Sequence, residues 1–273
     1  MRDNQIPLSA AQKCSTDEGY ALGPSVLPAD LIRRTHQGMD EVMARRFETG
    51  QAPLDHRPAN YDPTRHLCKI DQPHVANRAI YEAITWPALG AAVAAITGAK
   101  RLQVWAVQLL HKPGGTAATA AVGWHQDYQY WKKWWTPDSN IFTAWLALSD
   151  VTAQSGPMCF VPGSQRWGFL NAGNFFGDTG DQTRKQIQVP AGQNWREVPA
   201  VMPPGAFSLH HRLTYHGSHP NLSPLPRRSF AIHLCAEDAT PTPGSDQQYD
   251  YVGFLNNPAI CPVIWDAQPS AKR

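Results

Sequence analysis

The sequence predicts a mainly β domain, a sandwich, jelly roll or barrel, that carries an α-helical layer, and three observations lead there. Short runs rich in Val, Leu, Trp and Phe, broken by Gly, Pro and Asn, fill the chain after Gly98, and runs of that length and composition suit strands. Helical spacing of apolar residues is confined to the part before Gly98, so helices gather ahead of the strands rather than alternating with them. The 273 residues, 42% hydrophobic and 17% charged, match one β core with peripheral helices and enough apolar surface to offset chain entropy.

Taken in order, residues 1–26 are polar and read as irregular. From Pro28 to about Phe47, Leu31, Thr35, Met39, Val42 and Met43 recur at helical spacing. Pro28 and Asp30 suit a first turn, because the missing N–H of proline is one that a helix start leaves unpaired and a carboxylate complements its positive end. Pro, Asp and Asn make a loop of Gln51 to Pro63. A second helical stretch covers about Val75 to Trp86, and Pro87 separates it from an alanine-rich helix ending at Gly98. The expected strands are Leu102–His111, Gly123–Tyr128, Ile141–Leu148, Met158–Val161, Ala206–His210 and Arg228–Ala236. Residues 166–197, rich in Gly, Asn and Gln, are too long for a passive connection and read either as a lid or specificity loop or as a surface insertion. The expectation is a single domain: helical layer 27–98, β core 99–240 and C-terminal extension 241–273.

The net charge of +2 comes from scattered Lys and Arg, and no RRM, zinc-finger or helix-turn-helix signature is present, so no nucleic-acid partner is expected. Cys14, Cys68, Cys159, Cys235 and Cys261 form no CxxC and read as reduced thiols of a cytoplasmic protein. The N-terminus lacks the apolar core of a signal peptide and no apolar run nears the roughly 18 residues of a membrane span, so no membrane insertion is expected. Oligomeric state is not legible.

The chemistry lies in Trp124-His125-Gln126-Asp127. In an extended strand, residues i and i+2 point to one face, and a metal can sit between them. His216, in Tyr215-His216-Gly217-Ser218, is the candidate third ligand. Two imidazoles and a carboxylate occupy one face of an octahedral ion and leave three positions for a bidentate cosubstrate and O2, an arrangement that favours Fe(II). HxD by itself is a weak signal, since a surface His beside a turn-forming Asp produces it too.

Three longer words carry more: WHQDYQYW from Trp124, AWLALSDVTAQSGPMCFVPGSQRWG from Ala144 and HGSHPNLSPLPRRSFAIHL from His216. In order, spacing and Gly-Pro and Pro-Gly-Ser punctuation they resemble the phytanoyl-CoA dioxygenase family, which includes ectoine hydroxylases, over roughly residues 66–236. The resemblance implies a double-stranded β-helix of jelly-roll type, with His125, Asp127 and His216 as ligands at one mouth of the barrel. It implies an Fe(II)- and 2-oxoglutarate-dependent dioxygenase that hydroxylates a small molecule and releases succinate and CO2. Arg227 occupies the position at which the family pairs an arginine with the far carboxylate of 2-oxoglutarate, and a one-residue slip of register would exchange it with Arg228. Ser218, two residues past His216, is a candidate to hydrogen-bond the same carboxylate. Lys69 matches a position the family uses against 2-oxoglutarate, with a solvated lysine as the alternative, and Trp145 and Gln108 are candidates for the walls of that pocket. Related halogenases have Gly or Ala in place of Asp127, so its presence speaks against halogenation.

Two questions stay open. His210, His211, His219 and His233 crowd the same region and read as mostly structural, with His219 an alternative to His216. The aromatic cluster Tyr128, Tyr130, Trp131, Trp134 and Trp135, interrupted by Lys132 and Lys133, is either a pocket wall for an apolar, cationic or anionic small molecule or a structural patch. The rival function is a cupin-like metal-binding isomerase or non-oxidative binding protein.

Overall fold

The structure is a computed structural model that describes residues 7–58, 60–115, 120–177, 179–245 and 251–268. The described strands are β1 (Tyr20–Gly23), β2 (Cys68–Asp71), β3 (Arg101–Lys112), β4 (Val122–His125), β5 (Ile141–Ala147), β6 (Met158–Phe160), β7 (Val198–Pro199), β8 (Phe207–His211), β9 (His216–Ser218), β10 (Arg227–Ala236) and β11 (Val263–Asp266). They form two antiparallel sheets. The larger has the order β1-β8-β5-β10-β3-β11, with β2 also paired to β3; the smaller has the order β4-β9-β6-β7.

Alternation along the strands decides what each face of the large sheet does. Phe142, Ala144, Leu146, Phe207, Leu209, Phe230, Ile232 and Leu234 join one buried cluster with Leu31, Met39, Val42, Ile80, Ile84, Leu89, Val93 and Ile96 of the helices. Burial of each such Leu, Ile, Val or Phe contributes about 1.5–3 kcal/mol. From the opposite face Leu110, Trp145 and Ala231 pack with Met158 and Phe160 of the small sheet. The expected jelly-roll core with helices on one sheet is thus present. Its strands spread wider than residues 99–240, since β1 and β2 come from before that range and β11 from after it.

The helices are α1 (Leu8–Glu18), α2 (Ala29–Met43), α3 (Arg78–Ile84), α4 (Pro87–Thr97), α5 (Tyr128–Trp131) and α6 (Asp181–Lys185). In α2 the expected stripe Leu31, Thr35, Met39 and Val42 is buried. The second expected helix is shorter than its pattern: a 3-10 turn covers Pro73–Val75, and Asn77 then caps α3 by accepting from the N–H groups of Ala79 (3.0 Å) and Ile80 (3.2 Å). Gly98, at φ 76°, closes α4 by donating its N–H to Ala94 O. Residues 1–26 are not irregular throughout, because α1 and β1 lie there. Only Ala11 of α1 is buried, so the helix has almost no apolar periodicity to read, and β1 exists by pairing with β8. The stretch Arg78–Thr97 is apolar and long enough to cross a membrane by composition, contrary to the expectation from apolar runs. It divides at Trp86-Pro87, and its Ile80, Ile84, Leu89, Val93 and Ile96 are spent on the core.

Burial pushes the imidazoles of His74, His111, His211 and His233 each down to about 4. The unfolded chain takes up these protons near pH 6.5 and the folded chain resists them until about pH 4, so stability is full above the former and falls as the pH drops toward the latter. Thermal unfolding followed by circular dichroism is expected to show the melting temperature falling steeply across that window.

Candidate metal centre

His125 is the last residue of β4, and in the register of the small sheet it stands opposite His216 of β9. The strand stops there rather than running on to Tyr128: Asp127 has φ −54° and ψ −38° and opens α5. The i, i+2 geometry expected of a strand is therefore replaced by a strand end and a helical turn, which still bring the carboxylate to the two imidazoles. Gln126 holds the turn. Its side-chain amide donates to Gly168 O and Leu213 O, both at 2.8 Å, and its oxygen accepts from Leu170 N at 2.9 Å.

His125 Nδ1 lies 2.8 Å from Gly123 O and His216 Nδ1 lies 2.9 Å from Thr214 O. A carbonyl only accepts, so both rings carry hydrogen on Nδ1 and present the lone pair of Nε2. These Nε2 atoms stand 3.7 and 3.6 Å from the same atom, Asp127 Oδ1. The ligand atoms of the three residues all lie within 4.8 Å of one another. Neighbouring donors around an octahedral ion are about 3 Å apart, given bonds of about 2.1 Å, so the set fits one ion with a small inward shift. Asp127 Oδ2 is engaged elsewhere, accepting from Thr143 Oγ1 at 2.8 Å and lying 3.2 Å from His210 Nε2. Burial opposes the charge of Asp127, but His216, His125 and His210 around it hold the carboxyl well below its usual range. Burial and the neighbouring imidazoles of His125 and His210 push His216 well below its own. Both groups are thus in the forms that bind metal.

Beyond the triad lies a cavity of about 30 Å³ lined by Gln108, Trp145 and Arg227 among others. Arg227 is 1% exposed, its guanidinium sits 4.9 Å over the Trp145 ring, and Nη1 donates to Gly156 O. Its Nε and Nη2 have no partner among the described residues. Burial pulls this guanidinium below its ordinary range. A buried fork with unused donors and no carboxylate beside it among the described residues is a built site for an anion. Arg228 lies on the other face and donates to Asp40 Oδ1 (2.7 Å) and His36 O (3.1 Å) of α2. Arg228→Ala is accordingly expected to cost about 1 kcal/mol in denaturant unfolding and to leave the requirement for 2-oxoglutarate unchanged.

Ser218 Oγ accepts a 2.6 Å hydrogen bond from Lys112, a fully buried lysine that no local pattern singled out. Lys112 also donates to Ser218 O (3.3 Å) and His219 O (2.6 Å), and burial with the nearby Arg227 guanidinium pushes it well below its ordinary range; Ser218 itself is not among the residues that line the inner cavity. Lys69 is ion-paired with Asp71 at 2.7 Å and lines a separate outer cavity of about 150 Å³. His219 lies 3.2 Å from Glu197 Oε2 and 2.8 Å from Thr179 Oγ1, away from the triad. The sequence reading took His210 and His233 as mostly structural and did not single out Thr143. Cross-strand pairing sets His210 opposite Thr143 and Thr143 opposite His233 on the inner face, in one row behind Asp127.

Trp131, Trp134 and Tyr130 wall the outer cavity, whereas Tyr128 and Trp135 are not in its lining, so the aromatic cluster is part pocket and part core. Lys133 lies 3.9 Å over the Trp134 ring and Lys132 lies 5.2 Å over Phe169, and neither lines the cavity. In the loop of residues 166–197, Asn174 N donates to Trp124 O and Gly123 N to Phe175 O, both at 3.0 Å, which seats this stretch along β4. Gly173 makes this approach possible: at φ +99° a Cβ would lie 2.0 Å from Trp124 O. Phe175 then rests 5.2 Å from the His125 ring, and Phe176, 78% exposed, stands at the cavity wall.

Two imidazoles and a carboxylate on the inner wall of a jelly roll, open toward a buried arginine, define the class of 2-oxoglutarate-dependent non-haem iron oxygenases. The chain belongs to the phytanoyl-CoA dioxygenase (PhyH) family, whose model matches residues 15–229. It is 26% identical to a probable alpha-ketoglutarate-dependent hypophosphite dioxygenase of Stutzerimonas stutzeri, over 88% of this chain and 82% of that protein. It is 20% identical to the human peroxisomal phytanoyl-CoA dioxygenase, over 86% and 70%. Among solved structures it resembles iron-bound EctD from S. alaskensis (TM-score 0.65, 18% identity, 86% of this chain and 79% of that one). It also resembles the epimerase SnoN with Fe3+, alpha ketoglutarate and nogalamycin RO (TM-score 0.63, 20% identity, 86% of each). The chain is an Fe(II)- and 2-oxoglutarate-dependent dioxygenase, and the non-oxidative cupin-like alternative is set aside.

Proposed function

We propose that this enzyme hydroxylates a small-molecule substrate, with His125, Asp127 and His216 as the iron ligands and Arg227 as the anchor of 2-oxoglutarate. The observation that carries the reading is the convergence of two lone pairs, each oriented by a backbone carbonyl, on one oxygen of a carboxylate whose other oxygen is occupied. Bound Fe(II) supplies the centre at which 2-oxoglutarate and O2 react, with succinate and CO2 as products. The protein's part is orientation and exclusion of water. Thr143 and His210 fix which oxygen of Asp127 faces the metal. Arg227 offers donors to the far carboxylate, and Trp145 and Gln108 wall the same inner pocket, while Ser218 is held by Lys112 beside it. Lys69, held by Asp71, belongs to the outer cavity, which we assign to the substrate; its volume of about 150 Å³, below the roughly 300–1,000 Å³ of pockets for drug-sized ligands, restricts it to a compact molecule. Because Asp127 fills the third protein position, the outcome is oxygen insertion rather than halogenation. The chain acts as one oxygenase unit, in the cytoplasm, with residues 166–197 as its lid.

The test is anaerobic titration with Fe(II) and 2-oxoglutarate, followed by a screen of small amines, amino acids and acyl compounds for substrate-dependent succinate release. A weak visible charge-transfer band of the chelate is expected. Its absence at saturating metal and cosubstrate would overturn the assignment.

A further inference from the structure

Behind Asp127 the hydrogen-bond directions are determined by donor count. The ionised carboxylate only accepts, so the single hydroxyl hydrogen of Thr143 goes to Asp127 Oδ2. Thr143 Oγ1 must then accept from His233, whose Nδ1 is 2.9 Å away. His233 therefore carries its hydrogen on Nδ1, and Nε2 is a bare acceptor. Burial, which pushes this imidazole down to about 4, keeps it neutral. The ring is held between Trp131, at 4.8 Å and edge-on, and Trp105, at 5.4 Å. His233 is 4% exposed and its Nε2 has no partner among the described residues, yet the residue lines both the inner and the outer cavity. A buried polar atom without a partner, on a residue that lines a cavity, is a place for a ligand group.

We propose that His233 is a substrate-positioning residue whose Nε2 accepts a hydrogen bond from an O–H or N–H of the substrate. The substrate is then a small protic molecule with an apolar body, not an oxyanion. The inference rests on the oxygenase reading and names what its outer cavity selects. The rest of the wall is mostly aromatic, with Trp105, Trp131, Trp134 and Tyr251; its lysine, Lys69, is neutralised by Asp71, and Trp105 Nε1 is a single donor without a partner among the described residues. An oxyanion needs several convergent donors, and a lone pair such as that of His233 Nε2 repels it. The pocket thus differs in chemistry from what the name of the Stutzerimonas stutzeri relative indicates for that protein.

Three probes test this by anaerobic calorimetry on the enzyme loaded with Fe(II) and 2-oxoglutarate. Cyclohexanol carries an O–H, cyclohexylamine an N–H, and methoxycyclohexane neither. At least one protic probe is expected to bind about tenfold more tightly than the ether, and which one does so separates an alcohol from an amine substrate. His233→Asn keeps a donor toward Thr143 but loses the acceptor, and is expected to erase the preference; His233→Gln, which reaches the Nε2 position, is expected to restore part of it. The ratio between probes is the readout, because a merely structural role would weaken all three alike. Equal binding of the ether, failure of both protic probes to bind, a preference that survives in His233→Asn, or succinate release driven by hypophosphite would each overturn the proposal. Nitrogen-15 NMR of histidine-labelled, zinc-substituted enzyme is expected to show His233 protonated at Nδ1 and bare at Nε2, and the reverse tautomer would also overturn it. This tautomer does not depend on turnover, so failure of the oxygenase reading, seen as loss of the iron chelate band in the unmodified enzyme, is distinguishable.

Discussion

His216→Ala is expected to lower succinate release by about a thousandfold or more and metal affinity by well over the roughly 10- to 100-fold typical of losing an outer hydrogen-bond partner. The reason is geometric. His125 and Asp127 come from one short stretch, and His216 is the residue through which the partner strand β9 closes the metal-binding face. Without it, two donors remain on one side of the ion. Asp127→Ala is expected to match it, and additionally to leave Thr143 and His210 without their shared acceptor. Metal content after gel filtration and single-turnover succinate yield check both. A His216→Ala enzyme that retained stoichiometric iron and turnover would refute the ligand set.

Arg227→Ala is expected to weaken 2-oxoglutarate binding by roughly 30- to 1,000-fold, the range for truncating one side of a buried, hydrogen-bonded charge pair. The guanidinium is 1% exposed and two of its nitrogens have no partner among the described residues, so little solvent competes for the incoming carboxylate. Arg227→Lys should recover only part of the loss, because an ammonium is a point charge without the planar fork. Titration of the chelate band with 2-oxoglutarate and with pyruvate, which lacks the far carboxylate, isolates the contact: the variant should lose affinity for the former and little for the latter. An unchanged 2-oxoglutarate affinity, or the phenotype appearing in Arg228→Ala instead, would refute the assignment.

The neighbouring arginines show where sequence reasoning stops. Alternation alone left Arg227 and Arg228 exchangeable, since a shift of one residue moves every side chain of a strand to the other face. The pairing of Arg227 with Lys112 and of Ser229 with Ala147 settles the register and turns Arg228 toward α2. At Trp105 alternation fails: the register of β3 against β10 slips between His233 and Leu234, and this added residue joins the inner aromatic group. Neither β9, three residues long, nor β1 has enough length to show a period, and both are held by strands distant in sequence.

What the sequence by itself determined was local: helix α2 through its apolar stripe, most strands of the core, and the His125–Asp127 word, whose likeness to a known family pointed onward to His216 and Arg227. Only the tertiary structure decided how Asp127 is aimed and which residues stand behind it. Its partner His210 is 83 positions away, and Thr143 and His233 are 90 apart. Such contacts follow from strand register and from the donor count of neighbouring groups, neither of which is a property of any stretch of chain taken alone.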